Sequence, residues 1–174
     1  MTDPLASAPA PIGEDDFDAG RLIPDPLRTP QYFDGVLWKR VFGYLIDVIV
    51  ITLILALLYV PAAFIGVLSF GVLWPALMFG LALVPLLYHT ILIGGPRSAT
   101  LGMRLFGVEV LVRNGDRPDF VRAAALTLLF YVSIMLTTWL ILVIALFNRE
   151  KRTLHDFVCN TMVVNYFPED EYTP

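Results

Sequence analysis

The chain has 174 residues, 57% of them hydrophobic and 16% charged, whereas soluble domains average about 45 to 50% and about 25%. The composition indicates a membrane protein. The length fits one compact unit and excludes a repeat array or a large multidomain enzyme. The formal charge of -4 comes from acidic ends, since residues 35 to 167 hold ten Lys/Arg against six Asp/Glu. Those cations flank apolar stretches, which favours anionic lipid headgroups and argues against nucleic-acid binding.

Residues 1 to 34 have the composition of a disordered, cytosolic tail. Six prolines fall in the first 30 residues and seven acids in the first 34. A segment of this composition cannot bury enough apolar surface to become ordered. The segment does not resemble a signal peptide, because no basic stretch precedes an apolar one. We predict a tail over 1–34, a membrane domain over 35–166 and a second acidic tail over 167–174.

Three apolar stretches are long enough for transmembrane helices of about 20 residues, which predicts an all-α membrane protein. The first covers residues 36–60 and ends before Pro61. The second covers 68–93, with Trp74 and Tyr88 in aromatic belts near its ends. Pro75 suits the first turn of that helix, and Pro85 predicts a kink. The third covers 123–147, with Thr127, Tyr131 and Thr138 on one packing face.

The positive charges give conflicting predictions for the topology. Lys39 and Arg40 before the first span and five arginines in the loop 94–122 place the N-terminus and that loop in the cytoplasm. Three crossings would then put the C-terminus outside, yet Arg149, Lys151 and Arg152 follow the third span. A re-entrant third segment would resolve the conflict, but it lacks Pro and Gly at its middle. Three crossings are the default prediction.

The cytoplasmic loop is predicted to contain β structure. VEVLV (108–112) and TMVVNY (161–166) are β-prone and could pair into a small sheet. RNGDRPD (113–119) holds Asn-Gly and is predicted to be a turn. The glycine-rich stretch 94–107 lacks Walker spacing, so lipid headgroups are the expected partners of its arginines.

Asp47 lies within the first apolar stretch, where a charged group costs about 2.5 to 3.5 kcal/mol. Arg40 is seven residues earlier, within about 20° of the same helix face and about 10.5 Å along the axis. Arg40 and Asp47 therefore define one polar stripe. The stripe could be an ion-pair network that fixes helix packing. Alternatively, Asp47 could bind a proton or a hard cation such as Na⁺.

A second group of polar residues follows the third span. Thr153 and Asp156 could form a variant of the helix capping box. His155 beside Asp156 is not a metal site by itself, because adjacent residues point to different helix faces. His89 is expected to be an interfacial or helix-end histidine rather than a ligand, and the single Cys159 allows no intrachain disulfide. Hydrolase and kinase motifs do not occur, so we expect no enzyme, metal or cofactor.

Taken together, these residues resemble the RDD family of prokaryotic membrane proteins, over about residues 35 to 166. The family's arginine, first aspartate and second aspartate correspond to Arg40 and Asp47 in WKRVFGYLID and Asp156 in RTLHDFVCNT. TLGMRLFGVEV (100–110) resembles its loop signature. Two positions depart from the family pattern. Met103 stands where a lysine is common, and Asn160 stands where a glycine is common, which suggests that the backbone there need not adopt a conformation open only to glycine. His155, Arg104 and Thr161 are secondary site candidates.

The resemblance implies a multi-pass protein of the prokaryotic inner (plasma) membrane, N-terminus in the cytoplasm, for which cation or proton exchange has been proposed. Three helices are too few to enclose a water-lined path, so transport would require a homo-oligomer. One hypothesis is therefore an oligomeric Na⁺/H⁺ exchanger that uses Asp47 and Asp156. The other is a non-catalytic scaffold or accessory subunit of a membrane-protein partner, held together by Arg40, Asp47 and Asp156.

Overall fold

The computed structural model describes residues 17–18, 21–22, 24, 27, 29–137 and 154–167. This part is mostly helical, with two small antiparallel strand pairs. In chain order its elements are β1 (Phe17–Asp18), β2 (Arg21–Leu22), a 3-10 turn (Pro30–Tyr32), α1 (Val36–Leu68), α2 (Trp74–Ile93), α3 (Leu101–Leu105), β3 (Val108–Val112), α4 (Phe120–Thr137), α5 (Leu154–Val158) and β4 (Thr161–Asn165).

Helices α1 and α2 form an antiparallel hairpin, and within the described residues these two are long and apolar enough to cross a membrane. The predicted end of the first helix before Pro61 is wrong, because α1 continues through Pro61 to Leu68. Membrane helices tolerate the loss of one backbone donor at proline. The second helix ends at Ile93 and has Pro75 in its first turn, as predicted, but begins at Trp74.

Large apolar side chains cover the outward surface of the hairpin. Leu53, Leu57 and Val60 on α1 are 65%, 75% and 70% exposed, and Phe79 on α2 is 67% exposed. Soluble monomers rarely expose such a continuous apolar surface. Lipid tails would cover it, in agreement with the composition.

Inside the hairpin, Trp74 packs on Gly66 so closely that a Cβ on the glycine would overlap the indole ring. Ala62, one turn earlier, is also buried. Two small residues spaced four apart, such as Ala62 and Gly66, can let a helix of another molecule pack closely. In this structure they are used within the chain.

The remaining elements form a cap at the end of the hairpin where α1 begins and α2 ends. The cap comprises the 3-10 turn, α3, β3, the start of α4, α5 and β4. One core joins residues of α1, α2, α4 and both strands: Val36, Ile93, Val108, Val110, Ala123, Leu126 and Val163. A second core places the 3-10 turn against the sheet: Tyr32, Phe33, Leu111, Met162 and Val164. Packing therefore begins before residue 35, within the predicted tail.

The predicted pairing of the two β-prone segments is confirmed. Strands β3 and β4 are antiparallel, with Val110 opposite Val163 and Val112 opposite Thr161. Asn160, just before β4, has φ +53°, a left-handed conformation that favours glycine but that asparagine tolerates. The backbone here is left-handed but not restricted to glycine, as the presence of asparagine suggests.

The pairing of β3 with β4 also fixes the side of the C-terminal segment. Helix α4 starts beside the end of α2, where Phe120 touches Gly94, and β4 returns to β3 in the same cap. Three crossings would put β4 on the opposite side, so that consequence of the default topology is wrong. Residues 138–147 of the predicted third span, Thr138 included, lie outside the described residues.

Helix α3 packs on α1 through two glycines. A Cβ on Gly102 would overlap the carbonyl oxygen of Gly43 and lie 2.7 Å from its carbonyl carbon, and one on Gly43 would lie 3.3 Å from the backbone of Gly102. Glycine at position 102 is required for the two backbones to approach this closely, and a Cβ at position 43 would crowd the same contact.

We therefore expect Gly102→Ala to separate α3 from α1 and lower stability by about 1 to 3 kcal/mol, the range for overpacking. Gly80→Ala is the matched control, because nothing lies within 4 Å of a Cβ there and alanine is the better helix former. Thermal unfolding of purified protein measures both. Equal melting temperatures for Gly102→Ala and wild type would contradict the close contact.

Candidate functional site

Three donors from two other parts of the chain bind the carboxylate of Asp47. The Tyr88 hydroxyl donates to Oδ1 at 2.7 Å, the Gly102 amide donates to Oδ1 at 2.8 Å, and the Thr100 hydroxyl donates to Oδ2 at 2.5 Å. The Asp47 residue is 2% exposed. Hydrogen bonds from these groups offset the cost of burying a carboxylate.

The loop sequence TLGMRL places the Thr100 and Gly102 donors. Thr100 caps α3, and its hydroxyl oxygen accepts from the Met103 amide at 3.2 Å while the same hydroxyl donates to Asp47. Gly102 is close enough to present its amide because it packs directly on Gly43. The loop signature therefore has a physical reason, since it builds a short helix that binds an aspartate of α1.

Arg40 pairs with Asp156 and not with Asp47. Its Nη1 lies 2.7 Å from Asp156 Oδ2, and the two side chains are 14% and 1% exposed. The prediction that Arg40 and Asp47 share one helix face agrees with the structure, because Gly43 and Asp47 are buried there. The two side chains nevertheless bind different partners, since Asp47 binds α2 and the start of α3, whereas Arg40 binds α5.

The predicted local capping role of Asp156 stays a prediction, and the residue also makes a long-range contact. Its carboxylate accepts the long-range bond from Arg40, and Thr153, the proposed capping partner, lies outside the described residues. His155 Nε2 is 3.8 Å from Asp156 Oδ1. The structure therefore joins Arg40, Asp156 and His155 into one buried group.

Lys39 makes a second tie between α1 and the C-terminal strand, which the sequence reasoning missed. Its Nζ donates to Asn165 Oδ1 at 2.7 Å. The Asn165 amide in turn donates to the carbonyls of Gln31 and Asp34 at 2.8 and 2.9 Å. The adjacent cations Lys39 and Arg40 thus bind successive parts of the C-terminal segment.

An aromatic cluster lies between the Asp47 and Asp156 sites. The Phe130 ring meets those of Tyr44 and His155 edge to face, with centroids 5.4 and 5.2 Å apart. His89 is 6% exposed, and its Nδ1 lies 2.9 Å from the Pro85 carbonyl and 3.3 Å from the Tyr131 hydroxyl. His89 is therefore a packed residue one turn before the end of α2, and its interfacial position stays a prediction.

The other secondary candidates lie apart from these sites. Arg104 donates from Nε to the Ala99 carbonyl at 2.9 Å and makes no bond to Asp47 or Asp156. Thr161 is fully buried opposite Val112, and its hydroxyl has no hydrogen-bond partner among the described residues. In the described part of the chain, no group of three or more His, Cys, Asp or Glu could hold a metal ion.

Tyr88 and Thr100 are the partners of Asp47 that the sequence reasoning did not identify. Tyr88 was expected in an aromatic belt, and nothing in its local pattern points to a residue 41 positions away. Thr100 could have been recognised as the residue that caps α3, because threonine is favoured at the start of a helix, where its side chain accepts from the amide three residues later.

Arg40→Ala should lower the free energy of unfolding by about 3 to 5 kcal/mol, because Asp156 would stay buried without its cation. Arg40→Ala/Asp156→Ala should recover part of that loss, with an interaction energy of about 0.5 to 3 kcal/mol. Arg40→Ala/Asp47→Ala should show no recovery, since the two residues bind different partners. Thermal unfolding in detergent measures all of these, and equal recovery in both double variants would contradict the pairing.

Burial lowers the pKa of His155 to about 4, although the Asp156 carboxylate raises that pKa. An unfolded histidine titrates near about 6.5, so the unfolded chain binds more protons between these two values. Stability should therefore fall as the pH decreases from about 6.5 towards about 4, by up to about 3 kcal/mol. His155→Gln should flatten that part of the stability profile, and an unchanged profile would refute the assignment.

One comparison with known proteins identifies a family. The RDD family profile matches residues 35–160, a range that contains both helices of the hairpin, α3, the Asp47 site and the Arg40–Asp156 pair. Neither a search of curated proteins nor a search of solved structures found a match. Because the profile covers most of the chain, this protein belongs to the RDD family of membrane proteins.

Proposed function

We propose that this protein is a non-catalytic membrane scaffold or accessory subunit, in which the polar residues lock a cap onto a helical hairpin. The observation that carries the proposal is that the charged side chains of Arg40, Asp47 and Asp156 all bind partners within the protein. Three donors bind Asp47, and Arg40 binds Asp156. A carboxylate whose oxygens already accept several bonds serves packing better than ion exchange.

The extent of α1 supports a position for Asp47 near the membrane surface. Residues 48 to 68 of α1 carry no charge and measure about 31 Å, enough for a hydrocarbon core of about 30 Å. Asp47 then lies where that core ends, and not at its centre as the span 36–60 implied. Arg40 and the cap lie beyond it, at the level of the headgroups.

The distribution of cations supports a cytoplasmic cap. The turn between α1 and α2 has no charge, and Lys39, Arg40 and the five arginines of residues 94–122 lie at the other end of the hairpin. By the positive-inside rule we propose an inner-membrane protein whose N-terminus and cap face the cytoplasm. Because α5 and β4 belong to the cap, we propose that they lie on the cytoplasmic side as well.

Ion transport is the second candidate function, and one observation favours it. The Tyr88 and Thr100 hydroxyl oxygens lie 2.7 and 2.5 Å from the Asp47 carboxylate, and oxygen atoms are the ligands that hard cations prefer. An ion could bind there only if it replaced these hydrogen bonds. Transport would also require a homo-oligomer, because the hairpin and α4 cannot enclose a path.

The two functions predict different behaviour of Asp47→Asn. If Asp47 is a structural residue, the amide meets three donors with a single acceptor, and stability should fall by about 1 to 3 kcal/mol per unpaired group. Tyr88→Phe, which removes one donor, is the milder control. Wild-type protein in sealed vesicles should release no protons when a sodium gradient is applied, as read with an internal pH dye.

Proton movement by wild type that Asp47→Asn abolishes, with melting temperature unchanged, would contradict the scaffold proposal and support transport. A C-terminal reporter fusion provides a separate test of the topology. We expect cytoplasmic activity for the full-length fusion. External activity would refute the return of the C-terminal segment to the cap side.

A further inference from the structure

We propose that α3 and the loop before it form a binding site for an anionic phospholipid, with Arg97 and Arg104 at its phosphate and Leu101 and Leu105 against its acyl chains. This inference rests on the interfacial position of the cap proposed above, and it goes beyond the structural role of the lock. Three observations support it: the depth of α3, the exposure of its leucines, and the lack of an acidic partner for its arginines among the described residues.

The depth of α3 follows from its contacts with α1. Its glycine packs on Gly43, and the Phe106 ring at its end lies 6.0 Å from the Phe42 ring. On the outer side of α1 at this level, Trp38 and Phe42 are 66% and 49% exposed. Helix α3 therefore lies beside the first apolar turns of α1, where headgroups give way to acyl chains.

The outward face of α3 is apolar, although the helix has only five residues. Leu101 and Leu105 are 44% and 69% exposed, and positions four apart share one helix face. Gly102 faces α1 instead. Two exposed leucines on such a short helix suit contact with lipid chains better than contact with water.

The arginines beside these leucines have no acidic partner among the described residues. Arg104 is held by its Nε bond to the Ala99 carbonyl, which leaves the terminal nitrogens of its guanidinium for another acceptor. Arg97 is exposed, two residues before Ala99. The loop between them is anchored, because the Val110 amide donates to the Ser98 carbonyl at 2.8 Å.

Charge complementarity therefore selects a lipid that carries a net negative charge. Two guanidinium groups match a phosphate geometrically, since guanidinium donates parallel hydrogen bonds to its oxygens. Elsewhere in the cap, Lys39 and Arg40 are bound by Asn165 and Asp156. The leucines distinguish a lipid from free phosphate, because a soluble anion would gain nothing from them.

Native mass spectrometry of the full-length protein in detergent tests the site. Phosphatidylglycerol and phosphatidylcholine with identical acyl chains are added at equal concentration. Wild type should retain phosphatidylglycerol preferentially, and Arg97→Gln and Arg104→Gln should each weaken its binding about fivefold, the usual effect of one basic residue at an anionic surface. Leu101→Ser/Leu105→Ser should weaken binding of both lipids.

Arg113→Gln is the matched control, because it removes the same charge from the far end of β3. Its binding should stay within about twofold of wild type, since Arg113 lies after β3 beside Asn160, outside α3 and the loop before it. Equal binding of the two lipids by wild type would overturn the proposal. An effect of Arg113→Gln as large as that of Arg97→Gln would also overturn it, because attraction would then be diffuse.

Competition with inorganic phosphate tests whether the site binds a lipid or a free anion. If millimolar phosphate displaces phosphatidylglycerol, the site binds free anions and the lipid proposal is wrong. Should Arg104→Gln fail to fold, Arg97→Gln carries the test, because the Arg97 side chain is exposed and makes no described bond. Lipid selectivity is measured without any ion gradient, so this proposal and the scaffold function can fail separately.

Discussion

A buried carboxylate must receive hydrogen bonds from the protein, and this requirement at Asp47 determines how the domain is assembled. Its three donors come from α2 and from the start of α3, so satisfying one side chain fixes both elements against α1. The amide of Gly102 can take part only because two glycine backbones meet at Gly43. The loop and the aspartate therefore depend on each other, and neither could change alone without leaving polar atoms unpaired.

The Arg40–Asp156 pair closes the same assembly from the other end of the chain. The two residues are 116 positions apart, so their contact brings the C-terminal segment to the start of α1, where β4 pairs with β3. Lys39 strengthens this closure through Asn165. Placed where the hydrocarbon core ends, both polar sites join the hairpin to a cap at the headgroup level, which is the arrangement expected of a scaffold. Arg97 and Arg104, at the rim of the cap, would then bind lipid.

Much of this fold is predictable from local pattern. The apolar runs indicate the hairpin, β-branched residues predict β3 and β4, and the spacing of Arg40 and Asp47 identifies the buried face of α1. The partners of these charges were not predictable from local pattern, because a helical wheel relates Arg40 to Asp47 but contains nothing about Tyr88. Asp156 was suggested only by the family resemblance. Pro61 was misread for a similar reason, since the rule that proline ends a helix holds less strictly in a membrane. Asn160 shows that a residue other than glycine can occupy a left-handed position.

Cross-linking in intact membranes tests most directly whether both ends of the domain share one cap. Leu111 and Met162 face each other across β3 and β4, and both are buried. In a Cys159→Ser background, Leu111→Cys/Met162→Cys should form an intrachain disulfide under mild oxidation. Leu111→Cys paired with Leu57→Cys, far along α1, should not. If the strand pair stays reduced, and a membrane-impermeant thiol reagent reaches the two positions from opposite sides, the cap does not exist as described.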